Sequence, residues 1–314
     1  MKKNTKILIF VLVIILIALG LFFLLRGRAP EAEPSLTLSP MPSIEHAKGM
    51  VGFVHQNVEQ DTIDTFVSAC EKEKTEVLQF KTESKQDALA NAETFLSRNV
   101  DVLVISDYGT EIISNVLKKA NEKNIPVVVL EKVHEGASFF GIDKEQEGKL
   151  LAETAMTNQN TFDLVIAIGN TAKQSTQSKA ATDAIIEKTS LDPAYVIYTN
   201  GGQSVENAKS EVELRLADSP DRMNILVIAD SDQLAQGALA ATEDQTNDRQ
   251  IVIVSFDGGA EAINNFSGEQ NQWLATTTYS LSDYGERLYE TVMNLKTNGG
   301  KVDGKAQCEI MTYK

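Results

Sequence analysis

Two patterns of apolar and polar positions divide this chain. From Ile7 to Leu25 every residue is apolar or glycine, 19 in succession without a charge. Beyond position 49 short Val/Ile-dense runs alternate with stripes at helical spacing. The runs fall at 50–55, 76–80, 100–105, 126–130, 164–168, 195–198, 225–228, 251–256, 273–278 and 308–312. Most are apolar at consecutive positions, which predicts parallel strands covered on both faces. Between them, 62–72, 86–98, 111–122, 144–156, 177–187, 205–216, 232–241, 260–266 and 282–295 repeat apolar residues along one helix face. Ile112, Ile113, Val116, Leu117 and Ala120 are one such stripe, and its simplest reading is a face turned to a core. Alternating strands and helices predict an α/β fold, doubly wound around parallel sheets with right-handed crossovers. About ten strands exceed one comfortable sheet, so two are expected.

The leading apolar run is about 28 Å long as a helix at ~1.5 Å per residue, close to one hydrocarbon core. Three readings compete for it. A cleavable signal peptide would have a shorter run and a small-residue site, whereas Arg26 and Arg28 follow directly. A lipoprotein signal would place Cys after Ile17-Ala18-Leu19-Gly20, where Leu21 stands. The third reading is an uncleaved single-pass helix. Lys2, Lys3 and Lys6 before the run, against two arginines after it, favour an inside N-terminus and an extracytoplasmic body. Residues 1–28 are then a cytoplasmic tip and membrane anchor. Residues 29–48, with four prolines and several Ser/Thr, are an extended stalk.

Charge sharpens this division. Five of the 29 Lys/Arg and none of the 44 Asp/Glu lie in the first 28 residues, so the rest carries 24 basic and 44 acidic residues, formally −20. Such a body does not bind nucleic acid through its phosphates. Cys70 belongs to the helical apolar series Ile63, Phe66, Val67, Cys70, and Cys308 to the last strand-like run; a disulfide requires their Cα atoms within about 7 Å. His46, His55 and His134 are scattered, and no Cys/His spacing indicates a metal. No phosphate loop, G-x-S-x-G or H-E-x-x-H motif occurs, so a binding protein without cofactor is expected rather than an enzyme.

Ligands of open α/β sheets bind beyond the carboxyl ends of strands. The residues there are polar: Gln56, Asn57 and Glu59; Ser106, Asp107 and Tyr108; Glu131 and Lys132; Asp143; Asn170; Asn200; Asp230, Ser231 and Asp232; Phe256 and Asp257; Tyr279 and Ser280. Any one could be a plain strand end, and the collection suggests a cleft.

Four segments carry a resemblance: Asn124-Ile-Pro-Val-Val-Val-Leu130, Gly141-Ile-Asp143 with Gly148, Asp232-Gln-Leu-Ala-Gln-Gly-Ala-Leu239 and Ile251-Val-Ile-Val-Ser-Phe-Asp-Gly258. In this order they resemble the type I periplasmic binding proteins, near ribose-binding protein and the effector-binding core of the lac repressor family. The resemblance implies two similar lobes joined by a three-stranded hinge, 49–142 plus 281–306 and 143–280 plus 307–314. It implies polar ligand contacts at Asp257, Glu131, Lys132, Asp143, Ser231, Ser280 and Asn57, with Phe256, Tyr108 and Tyr279 as apolar walls. The chain departs from the family at Glu131-Lys132, where an Asp-Arg pair is usual, at Lys179 near an expected Arg, and at Glu59, Gln60 and Asp61, where paired aromatics would stand. The implied function is that of a solute-binding protein closing on a small, sugar-like polar ligand for an ABC-type transporter. Two alternatives stay open: a ligand-sensing partner of a membrane receptor or sensor kinase, and an interaction module with a degenerate pocket.

Overall fold

The computed structural model describes residues 49–242 and 249–313. The expected anchor and stalk lie outside the described residues, among which no helix is long and apolar enough to cross a membrane.

Strands β1 (Gly49–His55), β2 (Thr75–Lys81), β3 (Val102–Ser106), β4 (Val127–Leu130), β5 (Ser138–Ile142) and β11 (Gly304–Ala306) form one sheet, ordered β11-β5-β4-β3-β1-β2. A second sheet contains β6 (Leu164–Gly169), β7 (Val196–Asn200), β8 (Asn224–Ala229), β9 (Gln250–Ser255), β10 (Trp273–Thr278) and β12 (Glu309–Thr312), ordered β12-β10-β9-β8-β6-β7. All pairings are parallel except β10 with β12. The chain passes between the sheets three times, after β5, after β10 and after β11.

The helices are α1 (Gln60–Lys72), α2 (Lys85–Ser97), α3 (Thr110–Glu122), α4 (Lys144–Asn158), α5 (Thr176–Thr189), α6 (Val205–Ala217), α7 (Asp232–Thr242), α8 (Ala260–Phe266) and α9 (Leu281–Asn298). The central strands are largely apolar because helices cover both faces. Leu103 and Ile105 of β3 pack with α2 and α3, while Val102 and Val104 face α1 and α9. In β8, Ile225 and Val227 meet α6 and α7, and Leu226 and Ile228 meet α4 and α5. Close helix contact is secured at Gly148, where an added Cβ would lie 2.1 Å from the Gln177 carbonyl.

Short polar side chains start the helices. Ser84, Asp143, Ser175, Ser204 and Ser280 each accept a hydrogen bond from a backbone N–H in the first turn of α2, α4, α5, α6 and α9. Lys74, Asn99 and Asn124 turn the chain out of α1, α2 and α3 at positive φ.

All nine predicted helices are present, with ends shifted by a few residues. Two strands were not expected. β5 reads Ser-Phe-Phe-Gly-Ile, and β11 reads Gly-Lys-Ala. Neither has a pattern of its own; β11 exists because it pairs with β5. Cys70 is buried, Cys308 half-buried, and both are free thiols.

Candidate functional site

The loops that leave the carboxyl ends of both sheets meet around a cavity of about 420 Å³. The first sheet supplies Gln56, Asn57, Val58 and Glu59 after β1, Ser106 and Asp107 at β3, and Leu130 and Glu131 at β4. Asp257 follows β9, Tyr279 follows β10, Lys144 and Glu147 lie in the first turn of α4, and Tyr284 lies in α9. A second hollow of about 550 Å³ adjoins it, lined by Asn170, Gln203, Ser231, Gln233, Glu261 and the shared Asp257. Both sheets belong to a single compact unit, His46–Lys314.

Three lining residues hold unusual backbone conformations. Asn57, Glu131 and Asp257 have φ of 51°, 62° and 110°. Each stands one or two residues beyond a strand end. A non-glycine residue there costs about 1–3 kcal/mol and persists where its surroundings require it. The following Gly258 has φ 63°, and its Cα lies so close to β10 that an added Cβ would sit 2.5 Å from Thr278. The strand exit is thereby turned so that the Asp257 side chain lines both hollows.

The cavity is rich in acceptors. Glu131 Oε1 receives the Tyr284 hydroxyl at 2.5 Å. Glu147 is buried; its Oε1 accepts from Thr277 at 2.8 Å, and its Oε2 lies 3.2 Å from the Lys144 ammonium but receives no hydrogen bond. Withdrawal from water, then the neighbouring Asp232 and Glu147, push the Asp257 carboxyl up to about 7, with Lys144 opposing them. Asp232 is itself buried beneath the site. It accepts from Ser255 and Thr276 at 2.7 Å and from the Gly259 amide at 2.6 Å, and Ser255 in turn accepts from the indole of Trp273 at 2.9 Å. Burial nonetheless pushes its carboxyl above the ordinary carboxylate value. Burial also raises the Tyr279 phenol, with Glu131, Glu59, Asp257 and Glu147 adding to the effect.

Not every expected site residue reaches the cavity. Phe256 is 1% exposed and packs in the core between the second sheet and helices α4 and α5. Its side chain falls on the opposite face of the strand exit from Asp257, so it is a core residue rather than a wall. Tyr108 is likewise buried in the first-sheet core, donating its hydroxyl to the Thr82 carbonyl at 2.7 Å. Lys132 points away from Glu131 and pairs with Asp107 at 3.2 Å, where His134 also approaches at 3.0 Å. Burial raises the Asp107 carboxyl, but the Gly109 amide, Lys132 and His134 more than offset this and hold it below its ordinary value. Asp143 caps α4 and binds Lys305 of β11 at 2.6 Å, a bridge beside the crossover rather than a cavity contact. Ser280 caps α9, and Ser231 bonds the Leu234 amide at 3.3 Å while lining the second hollow. Asn57, Glu131, Tyr279 and Asp257 share the main cavity.

Lys144, Glu147 and Tyr284 escaped the reading of strand ends because they sit on helices. Tyr284 falls in the apolar stripe of α9 with Leu288, Val292 and Leu295. Glu147 could have been found as the one acid among the buried positions Gly148, Leu151, Ala152 and Ala155 of α4. Among the described residues no cluster of His, Cys, Asp and Glu has the arrangement of a metal site.

Residues 51–301 match the family model described as periplasmic binding protein domain. The D-xylose-binding periplasmic protein of Escherichia coli is 24% identical over 208 residues, covering 64% of this chain and 63% of its own length, under two thirds. The ribose import binding protein of Escherichia coli is 26% identical over 236 residues, 71% of this chain and 74% of that protein. Among solved structures, a mutant XylFII–LytSN complex superposes with TM-score 0.69 at 17% identity, over 85% of this chain and 98% of the other. A solute-binding protein from Bacillus halodurans with bound myo-inositol gives 0.59 at 19% identity, over 85% and 95%. At such identities the structural matches speak to the fold alone. The two-lobed fold and a family match covering most of the chain lead to one conclusion: the chain belongs to the periplasmic binding protein domain family.

Proposed function

We propose that this chain is an extracytoplasmic solute-binding protein, not an enzyme, that closes on a small hydroxyl-rich ligand for an ABC-type transporter. The observation that carries the reading is the polar cavity to which both sheets contribute, with Asp257 entering from one and Glu131 from the other. Relatives are named for binding D-xylose and for ribose import, and a structural neighbour is described with bound myo-inositol. Lobes of 49–142 plus 281–306 and 143–280 plus 307–314 would rotate about the three crossings. Closure expels water, so each hydrogen bond between the ligand and Asp257, Glu131 or Asn57 strengthens, and the ligand stabilises the closed state by its extra contacts there. Tyr279 would supply an aromatic wall and Ser231 a contact from the adjoining hollow. The apolar run 7–25 with its basic flanks would hold the body at the membrane as a single-pass anchor.

The test is a thermal-shift screen of the full-length chain in mild detergent against sugars, polyols, amino acids and nucleosides. A ligand at 100 times its Kd adds about 2.7 kcal/mol, a shift of several degrees. No shift from any class would overturn the reading and favour a degenerate interaction module. A second reading keeps the cleft but changes its output, with occupancy reported to a membrane receptor or sensor kinase. It is favoured by the neighbour described as a two-protein complex, XylFII–LytSN. Co-purification of a permease or of a receptor with the ligand-loaded chain separates the two.

A further inference from the structure

Four carboxylates surround the cavity near Tyr279: Glu59, Glu131, Glu147 and Asp257. One ammonium, Lys144, lies among them, and no arginine lines the cavity. Lys144 sits at Glu147, 3.2 Å away. Lys132 is committed to Asp107. Among the described residues Glu59, Glu131 and Asp257 form no ion pair. Glu131 has one hydrogen bond from a neutral phenol, that of Tyr284. A second observation points to a missing donor. Glu147 is nine-tenths buried, lines the cavity, and its Oε2 accepts no hydrogen bond despite the nearby ammonium.

A neutral sugar fits such a site poorly. Each hydroxyl both donates and accepts, so a sugar asks for protein donors as well as acceptors. Here acceptors dominate, and most of them are carboxyl groups. Closing on a neutral ligand would strip water from three carboxylates with no cation to replace it, which strongly opposes closure. An ammonium has donors only and carries the compensating charge. The half-buried Tyr279 ring, which lines the cavity, adds an aromatic surface on which a cation is favoured.

We infer that the ligand is a cationic, amine-bearing polyol, an amino sugar or amino alditol, whose ammonium lies between Glu131 and Asp257. The inference rests on the cleft being the ligand site, as proposed above. Its test uses matched probes on the full-length chain by calorimetry in phosphate buffer: D-glucosamine against D-glucose, D-galactosamine against D-galactose, glucamine against sorbitol. At least one amine should bind roughly tenfold or more tighter than its hydroxyl counterpart, one charge-assisted bond's worth. In Glu131→Gln/Asp257→Asn that preference should fall to within about twofold; a preference kept in a folded double variant overturns the placement. Should the variant fail to fold, the matched pairs on the natural chain still decide. Neutral probes binding as well as or better than amines overturn the inference and leave the cleft reading standing. Binding by neither set overturns the inference, and the cleft reading is then decided by the wider thermal-shift screen.

Discussion

Replacing Asp257 by Asn should stabilise the protein at pH 8 and change it much less at pH 4. The carboxyl is pushed from 3.8 to about 7 because partial withdrawal from water at the strand exit, and then the neighbouring Asp232 and Glu147, disfavour its charge, with Lys144 as partial relief. A raised value in the folded state means that folding stability is fully present below pH 3.8 and is lost as pH climbs towards and through about 7. The unfolded chain releases its proton early, and the folded chain is made to release it late and against repulsion. At ~1.4 kcal/mol for each tenfold change in proton binding, the whole displacement would be worth roughly 4 kcal/mol. Asp257 is exposed to the water of the cleft, however, and screening trims this to about 1–2 kcal/mol. Asn is neutral at every pH and keeps an acceptor for the Asp232 amide. Asn also tolerates positive φ, which shifts stability equally at both pH values and cancels in the comparison. The assay is the melting temperature of the ligand-free natural protein and Asp257→Asn at pH 4 and pH 8. The variant's advantage should grow by about 2–8 °C between them, at roughly 2–4 °C per kcal/mol. An advantage that is equal at both pH values, or larger at pH 4, would refute the raised carboxyl at this position.

Three further outcomes follow from packing and hydrogen bonding. Gly148→Val should lower the melting temperature by several degrees or prevent folding, because its Cβ would meet the Gln177 carbonyl at 2.1 Å; a variant as stable as the parent would mean that α4 and α5 move apart at little cost. Tyr284→Phe should remove about 1.5–3 kcal/mol in denaturant unfolding, since Glu131 loses its donor while the aromatic packing stays; unchanged stability would mean that water replaces the phenol. Ser255→Ala should cost about 1–3 kcal/mol and alter the emission of the single tryptophan, Trp273, whose indole loses its acceptor; an unaltered spectrum would contradict that bond.

The sequence by itself determined the alternation of elements and the number of sheets. Runs such as 102–105 are apolar at every position because both faces of a parallel strand are covered, and that covering leaves its mark locally. Asp257 and Glu131 were legible as candidates for a related reason, since a polar residue just after such a run has nowhere to go except the sheet edge. Phe256 and Tyr108 occupy equally suggestive positions in the chain and lie in the cores. Which side of a strand exit a residue takes depends on backbone turns such as the φ of 110° at Asp257, and no periodicity records those. Only tertiary structure could create β11, a Gly-Lys-Ala segment that becomes a strand by pairing with β5. Only it could turn Lys132 towards Asp107, Asp143 towards Lys305, and the buried Glu147 towards the cleft. Charge balance in a site is a property of distances between residues far apart in the chain, and it is set when the sheets come together.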